Sequence, residues 1–158
     1  MKIFVDGSTK PSNPGPGGFA VVVLSDDGQR VIECHQEKRE YTTNNEMELS
    51  ACLYALLKYG VKEEKFLIPV VYCDSAYAIN CLTIWKENWK QNNWLKNDGK
   101  VPENLTIIKN YDIIESKGYK IELRKIKGHD GILGNEICDK LAKGILSEKE
   151  IMEKYGYN

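Results

Sequence analysis

The feature of this sequence that most constrains its fold is an almost unbroken apolar run from Phe66 to Cys73, which ends at Asp74. Such a run is typical of a strand that is covered on both faces, so it predicts a sheet with helices on either side. Pro69 cannot donate a hydrogen bond to a neighbouring strand, and strand pairing is therefore expected to begin just after it. Ligands of open α/β sheets bind at the carboxyl ends of strands, which makes Asp74 a candidate functional residue.

The amino-terminal part of the chain predicts an antiparallel meander of three strands. The first strand covers 2–6 and ends at Gly7, and a loop rich in proline and glycine leads to a second strand at 19–24. An Asp-Gly turn at 25–28 then leads to a third strand at about 29–39.

A helix is predicted to follow the meander. Thr43 and Glu46 fit the capping-box pattern, in which a hydroxyl accepts a backbone amide hydrogen and a carboxylate reaches back. The helix should run to Tyr59, where Gly60 can end it. It carries an apolar stripe of leucines: Leu49, Leu53, Leu56 and Leu57. Glu48 therefore lies at the edge of the buried face.

The second half of the chain alternates helices with one more strand. The predicted elements are a helix from Ser75, a helix from about Pro102 to Gly118, a strand at 119–126, a helix at 135–143 and a short terminal helix with a capping box at 147–150. The whole order predicts an α/β fold with a mixed sheet flanked by helices. With 158 residues and 42% hydrophobic content, we expect a single domain over 1–158.

Charge and cysteine content exclude several classes of protein. The net charge is −1, so no overall positive field attracts nucleic acid, and any contact with a polyanion must be local. The five cysteines are odd in number and have no C-x-x-C spacing, which argues against a disulfide framework or structural zinc. No segment is suited to a signal peptide or a membrane span. We therefore expect a cytoplasmic protein with reduced thiols and no membrane association.

Four acidic residues carry the strongest functional signal: Asp6, Glu48, Asp74 and Asp139, each in its own local pattern. If the four converge, their repulsion in a partly dry site requires cations to neutralise it. Hard carboxylate oxygens suit Mg²⁺ or Mn²⁺. The sequence thus predicts a divalent-metal site of the kind that cuts phosphodiesters.

Considered one at a time, each of these residues has an ordinary explanation. Asp6 could be a turn residue, and Glu48 could be a solvated helix carboxylate. Asp74 could cap a helix, and Asp139, followed by Lys140 and Lys143, could form an ordinary ion pair on the helix surface. The catalytic interpretation depends on all four occurring together.

A segment of unusual composition covers residues 85–100. It holds all three tryptophans of the chain, Trp85, Trp89 and Trp94, interleaved with lysines and amides. Such interleaving is typical of a surface that binds a nucleic-acid backbone. The alternative, which stays open, is that the tryptophans belong to the core or to a protein-binding patch.

The order of these motifs resembles the type 1 ribonuclease H family, within the retroviral-integrase-like superfamily. The shared motifs are D-G-S at 6–8, N-P-G-P-G-G at 13–18, T-N-N-x-M-E-L at 43–49, D-S at 74–75, the Trp/Lys segment, K-G-H at 127–129 and N-E-x-C-D-x-L-A at 135–142. The resemblance covers nearly the whole chain. It implies a ribonuclease H-like fold with a five-stranded sheet, in which three antiparallel strands precede the parallel ones.

The resemblance also implies the site residues. Asp6, Glu48, Asp74 and Asp139 match the metal-binding carboxylates of the family, and His129 matches its mobile loop histidine. These five are the expected catalytic residues, with two Mg²⁺ ions per site and Mn²⁺ as a substitute.

Substrate contacts are implied at two places. Near the cut they are Asn13, Thr43, Asn44 and Asn45, and in the substrate-binding protrusion at 85–100 they are Trp85, Lys86, Trp89, Lys90, Trp94 and Lys96. The chain departs from the family in two respects. Ala76 replaces a longer polar side chain found after D-S in some members, and the protrusion has fewer cations than the most basic versions.

The resemblance therefore implies a monomeric endonuclease that hydrolyses the RNA strand of RNA–DNA hybrids and leaves 5′-phosphate and 3′-hydroxyl ends. Two other hypotheses stay open. One is a related metal-dependent nuclease that acts on DNA junctions or structured RNA, because one fold hosts many substrates. The other is a hybrid-binding module without turnover.

Overall fold

The computed structural model of the chain describes residues 1–62, 65–126 and 132–156. Its strands are β1 Lys2–Thr9, β2 Gly15–Leu24, β3 Val31–Thr42, β4 Val61–Lys62, β5 Val70–Cys73, β6 Tyr119–Lys120 and β7 Glu122–Lys125. Its helices are α1 Asn44–Tyr59, α2 Ala76–Asn80, α3 Lys86–Gln91, α4 Leu105–Ser116, α5 Leu133–Ala142 and α6 Glu148–Tyr155, with a π-helical segment at Cys81–Trp85 between α2 and α3.

The main sheet has five strands in the order β3-β2-β1-β5-β7. β2 pairs antiparallel with both β1 and β3, whereas β5 pairs in parallel with both β1 and β7. The predicted mixed sheet, with antiparallel strands followed by parallel ones, is confirmed. β1 lies at its centre and is the strand that the two halves share.

Helices cover both faces of this sheet, as the apolar run that ends in β5 predicts. On one face, Ile3 and Val5 of β1 pack into a core with α1. On the other face, Phe4 of β1 packs into a core with α5. Side chains alternate along a strand. Asp6 therefore lies on the α5 face, and its neighbour Gly7 lies on the α1 face.

The first strand is longer than predicted, because Gly7 does not end it. β1 continues to Thr9, and Gly7 pairs with Phe19 of β2. A Cβ at Gly7 would lie 2.4 Å from the backbone nitrogen of Glu48 and 2.7 Å from Cβ of Met47. The glycine is thus required by the close approach of α1 to β1, and the turn interpretation of this position is wrong.

Two apolar patterns of the sequence, the run at 66–73 and the leucine stripe of α1, are only partly buried in the structure. β5 begins at Val70, directly after Pro69, as predicted. The start of the apolar run lies outside the strand, with Phe66 64% exposed and Leu67 95% exposed. In α1 the leucine stripe is buried or half-buried except at Leu57, which is 59% exposed.

The predicted last strand is divided in two. Its first part, β6, pairs antiparallel with β4 in a separate two-stranded sheet, and its second part, β7, joins the main sheet. The sequence did not predict this pairing, because β4 is only two residues long and lies far from β6 along the chain. The helix expected near Pro102 begins at Leu105, after Asn104, whose φ of 61° is left-handed.

The two predicted capping boxes have different outcomes. At the start of α6, Ser147 and Glu150 form a complete box. At the start of α1, the Thr43 hydroxyl accepts a hydrogen bond from the backbone nitrogen of Glu46 at 3.1 Å. The Glu46 carboxylate, however, accepts from the hydroxyl of Thr42, so only half of the predicted box forms.

All five cysteines carry free thiols, and four of them are buried. No helix among the residues that the structure describes combines the length and the apolar character that a membrane crossing requires.

Candidate active site

Neighbouring elements bring three of the four predicted carboxylates together. β1 and β5 pair in parallel with Phe4 opposite Tyr72. Extending this register by two residues places Asp6 level with Asp74, which follows the last residue of β5. Glu48 lies in the second turn of α1, and the glycine after Asp6 allows that helix to approach β1 closely.

Asp139 comes from the opposite side of the sheet. It lies on α5, the helix that covers the same face of β1 as Asp6. Its side chain is 42% exposed, and its Oδ2 lies 3.2 Å from Nζ of Lys143. The surface ion pair considered as an alternative is therefore present. Asp139 is nevertheless near enough for its charge to raise the pKa of Asp6.

Burial and mutual repulsion make two of these carboxylates costly to ionise. Asp6 is 4% exposed, and burial, followed by the charges of Asp74 and Asp139, raises its pKa from 3.8 to about 7. Glu48 is 9% exposed, and burial, followed by the charge of Asp6, raises its pKa well above the ordinary value. A hydrogen bond from the backbone nitrogen of Gly7 to Asp6, 2.9 Å long, offsets only part of this cost. A bound cation would favour the ionised forms.

One oxygen of the site lacks a hydrogen-bond partner. Oε2 of Glu48 is buried, and no described residue forms a hydrogen bond with it. Glu48, Asp74 and Cys73 offer ligand atoms that all lie within 4.8 Å of one another. Carboxylate oxygens are ligands that Mg²⁺ and Mn²⁺ prefer, so the orphaned oxygen and its neighbours fit a divalent cation.

Cys73 is a neighbour of the site that the sequence interpretation did not include. The signal for it was its place directly before Asp74, at the end of the apolar run. A contact with Cys52, followed by burial, raises the pKa of Cys73 well above the ordinary thiol value. The thiol therefore stays protonated, and since only a thiolate is an effective ligand, carboxylates dominate the donor set.

The predicted substrate residues near the cut form a polar cluster at the start of α1. Oδ1 of Asn44 accepts hydrogen bonds from the backbone nitrogen of Thr9 at 2.7 Å and from its hydroxyl at 2.9 Å. Oδ1 of Asn13 accepts from the backbone nitrogen of Asn44 at 3.1 Å. Thr43 caps α1, and Asn45 is half-buried beside it. These residues hold β1, the following loop and α1 together, and their contact with substrate stays a prediction.

The segment at 85–100 forms a recess of about 800 Å³ on the surface. Trp85, Trp89 and Lys96 line it together with amide side chains. Trp85 is 37% exposed, with its ring centroid 6.1 Å from that of Trp89. Trp89 and Trp94, however, also pack against the main core. The segment is thus both a surface recess and part of the packing, and its contact with nucleic acid stays a prediction.

Lys86 does not lie where a substrate contact requires it. Its side chain is only 4% exposed, and its Nζ lies 2.6 Å from Glu87, 2.9 Å from Asp112 and 3.0 Å from Glu115. This burial argues against the predicted contact, and it shows that Lys86 anchors α3 to α4. Lys90 shares Asp112 at 3.0 Å but is 47% exposed.

His129 lies outside the described residues, in the gap at 127–131. Its predicted role in catalysis therefore stays a prediction. The described chain resumes at residue 132, just before α5 and Asp139.

Comparison with known proteins relates this site to one family. The RNase H family model matches residues 1–147. A Ribonuclease H of Thermoanaerobacter sp. (strain X514) is 39% identical over 145 residues, which cover 90% of this chain and 86% of the relative. A Ribonuclease H of Haemophilus influenzae (strain 86-028NP) is 39% identical over 158 residues, which cover 99% of this chain and 96% of the relative.

Solved structures share the fold. The solution structure of the PFV RNase H domain matches with a TM-score of 0.71 at 22% identity, covering 89% of this chain and 90% of that one. The crystal structure of LC11-RNase H1 in complex with RNA/DNA hybrid matches with a TM-score of 0.62 at 20% identity, covering 92% of this chain and 98% of that one. Because the family model spans most of the sequence and full-length relatives share 39% identity, the chain belongs to the ribonuclease H family of hydrolases.

Proposed function

We propose that this protein is an endonuclease that hydrolyses the RNA strand of RNA–DNA hybrids and leaves 5′-phosphate and 3′-hydroxyl ends. The observation that carries the proposal is the convergence of buried carboxylates around an oxygen of Glu48 that has no partner among the described residues. The relatives named Ribonuclease H and the similar structure solved with an RNA/DNA hybrid support the choice of substrate.

The carboxylates divide the binding of two Mg²⁺ ions, which Mn²⁺ can replace. Asp6 and Asp74, which lie level with each other, would contribute to holding both ions, while Glu48 and Asp139 would each help to hold one. When bound, such a pair activates a water molecule and stabilises the leaving 3′ oxygen. His129 moves protons or helps product to leave, since its ordinary pKa of about 6.5 suits proton transfer near neutral pH.

The other residues orient the hybrid. Selection of RNA as the cut strand requires a contact to the 2′-hydroxyl. Glu48, together with nearby backbone groups, is the candidate for this contact. The amides of Asn13, Asn44 and Asn45, with the hydroxyl of Thr43, bind near the cut. In the protrusion, Lys90 and Lys96 bind the DNA strand together with the rings of Trp85, Trp89 and Trp94.

We also propose that the chain acts as a monomeric catalytic domain over residues 1–158 in the cytoplasm. Its five free thiols support a reducing compartment. The size of the chain and its resemblance to the family support the monomer.

The test is cleavage of an end-labelled RNA–DNA hybrid in the presence of Mg²⁺, beside single-stranded RNA, duplex RNA and duplex DNA. The Asp74→Asn variant tests the site. Asp26→Asn is the matched control, because Asp26 is 90% exposed and lies at the turn after β2, at the opposite end of the sheet.

We expect cuts only in the RNA of the hybrid, lost in Asp74→Asn and retained in Asp26→Asn. Preferential cutting of duplex DNA, duplex RNA or single-stranded RNA would favour a related metal-dependent nuclease with a different substrate. Hybrid binding without metal-dependent cleavage would show a binding module instead of a nuclease.

A further inference from the structure

A second concave surface lies beside the carboxylates, and the proposed site does not use it. The recess has a volume of about 260 Å³ and lies between the β1–β2 loop, β3 and the carboxyl end of α5. Four cations line it: Lys10, Lys38, Arg39 and Lys143. The chain as a whole has a net charge of −1, so this concentration of positive charge is local.

Strand register places the recess next to Asp6. Asp6 pairs with Ala20 of β2, which in turn pairs with Gln36 of β3. In the next row on the same face, Ser8 pairs with Gly18, and Gly18 pairs with Lys38. The Cα atoms of Asp6 and Lys38 are two strand spacings apart across the sheet and two residues apart along the strands, which corresponds to a distance of about 12 Å. A lysine side chain from that row can therefore reach a group close to the carboxylates.

At Gly18 the end of α5 packs closely on the sheet. A Cβ there would lie 2.7 Å from the carbonyl oxygen of Glu37 and 3.1 Å from that of Ala142. The end of α5 is also fixed to β3, because the side-chain amide of Gln36 donates a hydrogen bond to the carbonyl oxygen of Leu141. The walls of the recess are thus set by packing and by hydrogen bonds, as a preformed binding site requires.

Two of the four cations have no counter-charge among the residues that the structure describes. Arg39 lies 3.6 Å from Glu37, and Lys143 lies 3.2 Å from Asp139. For Lys10 and Lys38, by contrast, none of the described residues supplies a carboxylate within ion-pair distance. The presence of a cation at Lys143 is explained by its position at the carboxyl end of α5, where positive charge is favoured. Such a position does not account for Lys38 or Lys10, which lie on a strand and in a loop.

We propose that this recess binds a backbone phosphate of the hybrid, close to the phosphodiester that is cut. The inference rests on the proposed function, because it takes the carboxylates as the place of cleavage. Lys38 and Lys10 supply the unpaired positive charge, and the recess of about 260 Å³ supplies the space. The contact fixes the register of the hybrid on the enzyme without selecting its base sequence.

The experiment measures binding of a fluorescently labelled RNA–DNA hybrid from about 50 to 200 mM salt, a range over which phosphate contacts dominate the change in affinity. Asp74→Asn serves as the background so that the hybrid stays intact. Adding Lys38→Ala should weaken binding about fivefold at the lowest salt and reduce the slope of log K against log salt by about 0.9, the loss expected for one phosphate contact. Lys38→Arg should keep both values.

Lys117→Ala is the matched control. Lys117 is exposed at the end of α4, close to β6 and far from the carboxyl end of β5. Its loss should change neither affinity nor slope. In the cleavage-competent protein, Lys38→Ala should raise KM and leave kcat within about twofold, because the contact is made equally in the ground state and the transition state.

An unchanged salt slope in both Lys38→Ala and Lys10→Ala/Lys38→Ala would overturn the proposal, and so would an equal loss in Lys117→Ala. Thermal unfolding of each variant checks that the fold is retained. Failure of the proposed function is a separate result, since the protein without lysine substitutions would then show no metal-dependent cleavage of the RNA of the hybrid.

Discussion

Replacing Asp6 with asparagine should stabilise the metal-free protein at alkaline pH. Asp6 is 4% exposed, and its pKa is raised from 3.8 to about 7, first by burial and then by Asp74 and Asp139. The folded state therefore binds a proton on this carboxyl more tightly than the unfolded state does. The contribution of the Asp6 carboxyl to the free energy of unfolding is fully present below pH 4 and is lost as the pH rises through 7.

The size of the effect follows from the same pKa. Each tenfold change in proton affinity corresponds to about 1.4 kcal/mol, so the ionised Asp6 carboxylate costs the folded state about 4 kcal/mol at pH 8. The asparagine side chain would carry no charge, and its amide oxygen can still accept the 2.9 Å hydrogen bond from Gly7. Asp6→Asn should therefore raise the unfolding temperature at pH 8 by roughly 10 °C.

Urea unfolding in the presence of a chelator, at several pH values between 4 and 8, measures this difference. We expect the advantage of Asp6→Asn to shrink steadily as the pH falls, and Mg²⁺ to stabilise the native sequence much more than the variant. The matched control is Asp26→Asn, at a carboxylate that is 90% exposed and forms a surface ion pair with the amino-terminal group of Met1; its loss should change stability by less than about 1 kcal/mol. A native protein as stable as the Asp6→Asn variant at pH 8 without metal would refute the electrostatic argument.

Substitutions at four further residues test local packing and helix capping, each by urea unfolding. Gly7→Ala should cost about 3 kcal/mol or more and abolish cleavage, because its Cβ would lie 2.4 Å from the α1 backbone; stability near that of the native protein would contradict the close approach. Lys86→Ala should cost about 3 kcal/mol by leaving Asp112 buried with less compensation, while Lys90→Ala, at a half-exposed partner of the same carboxylate, should cost less than about 1 kcal/mol. Equal costs would show that burial of Lys86 does not matter. Ser147→Ala should remove the cap of α6 and cost about 1 kcal/mol, and an unchanged stability would show that the cap adds nothing.

The sequence predicted those parts of the fold that local patterns determine. Alternation and turn residues located the antiparallel strands, although β2 begins at Gly15, within the predicted loop, and β3 ends at Thr42, beyond its predicted end. The apolar run before Asp74 located the central parallel strand. The sequence pattern could not show that β1 continues through Gly7. A glycine is required there because α1 approaches β1 closely, and the α1 residues in contact lie about 40 positions later in the chain. The burial of Lys86 was missed for the same reason. The lysines of the 85–100 segment suggest a basic surface, whereas Asp112 and Glu115, on a different helix, pair with Lys86 where it is buried.

The position of β1 explains why the carboxylates meet at this end of the sheet. Asp6 lies on the face that α5 covers, so Asp139 reaches it from that side, while Gly7 on the other face lets α1 bring Glu48 close. A parallel neighbour then adds Asp74 at the same level. Each of these contacts buries or concentrates negative charge, which destabilises the fold unless a cation is bound. The packing that makes the site costly without metal is therefore the same packing that prepares it to bind one, and a more stable metal-free protein is expected to be a poorer enzyme.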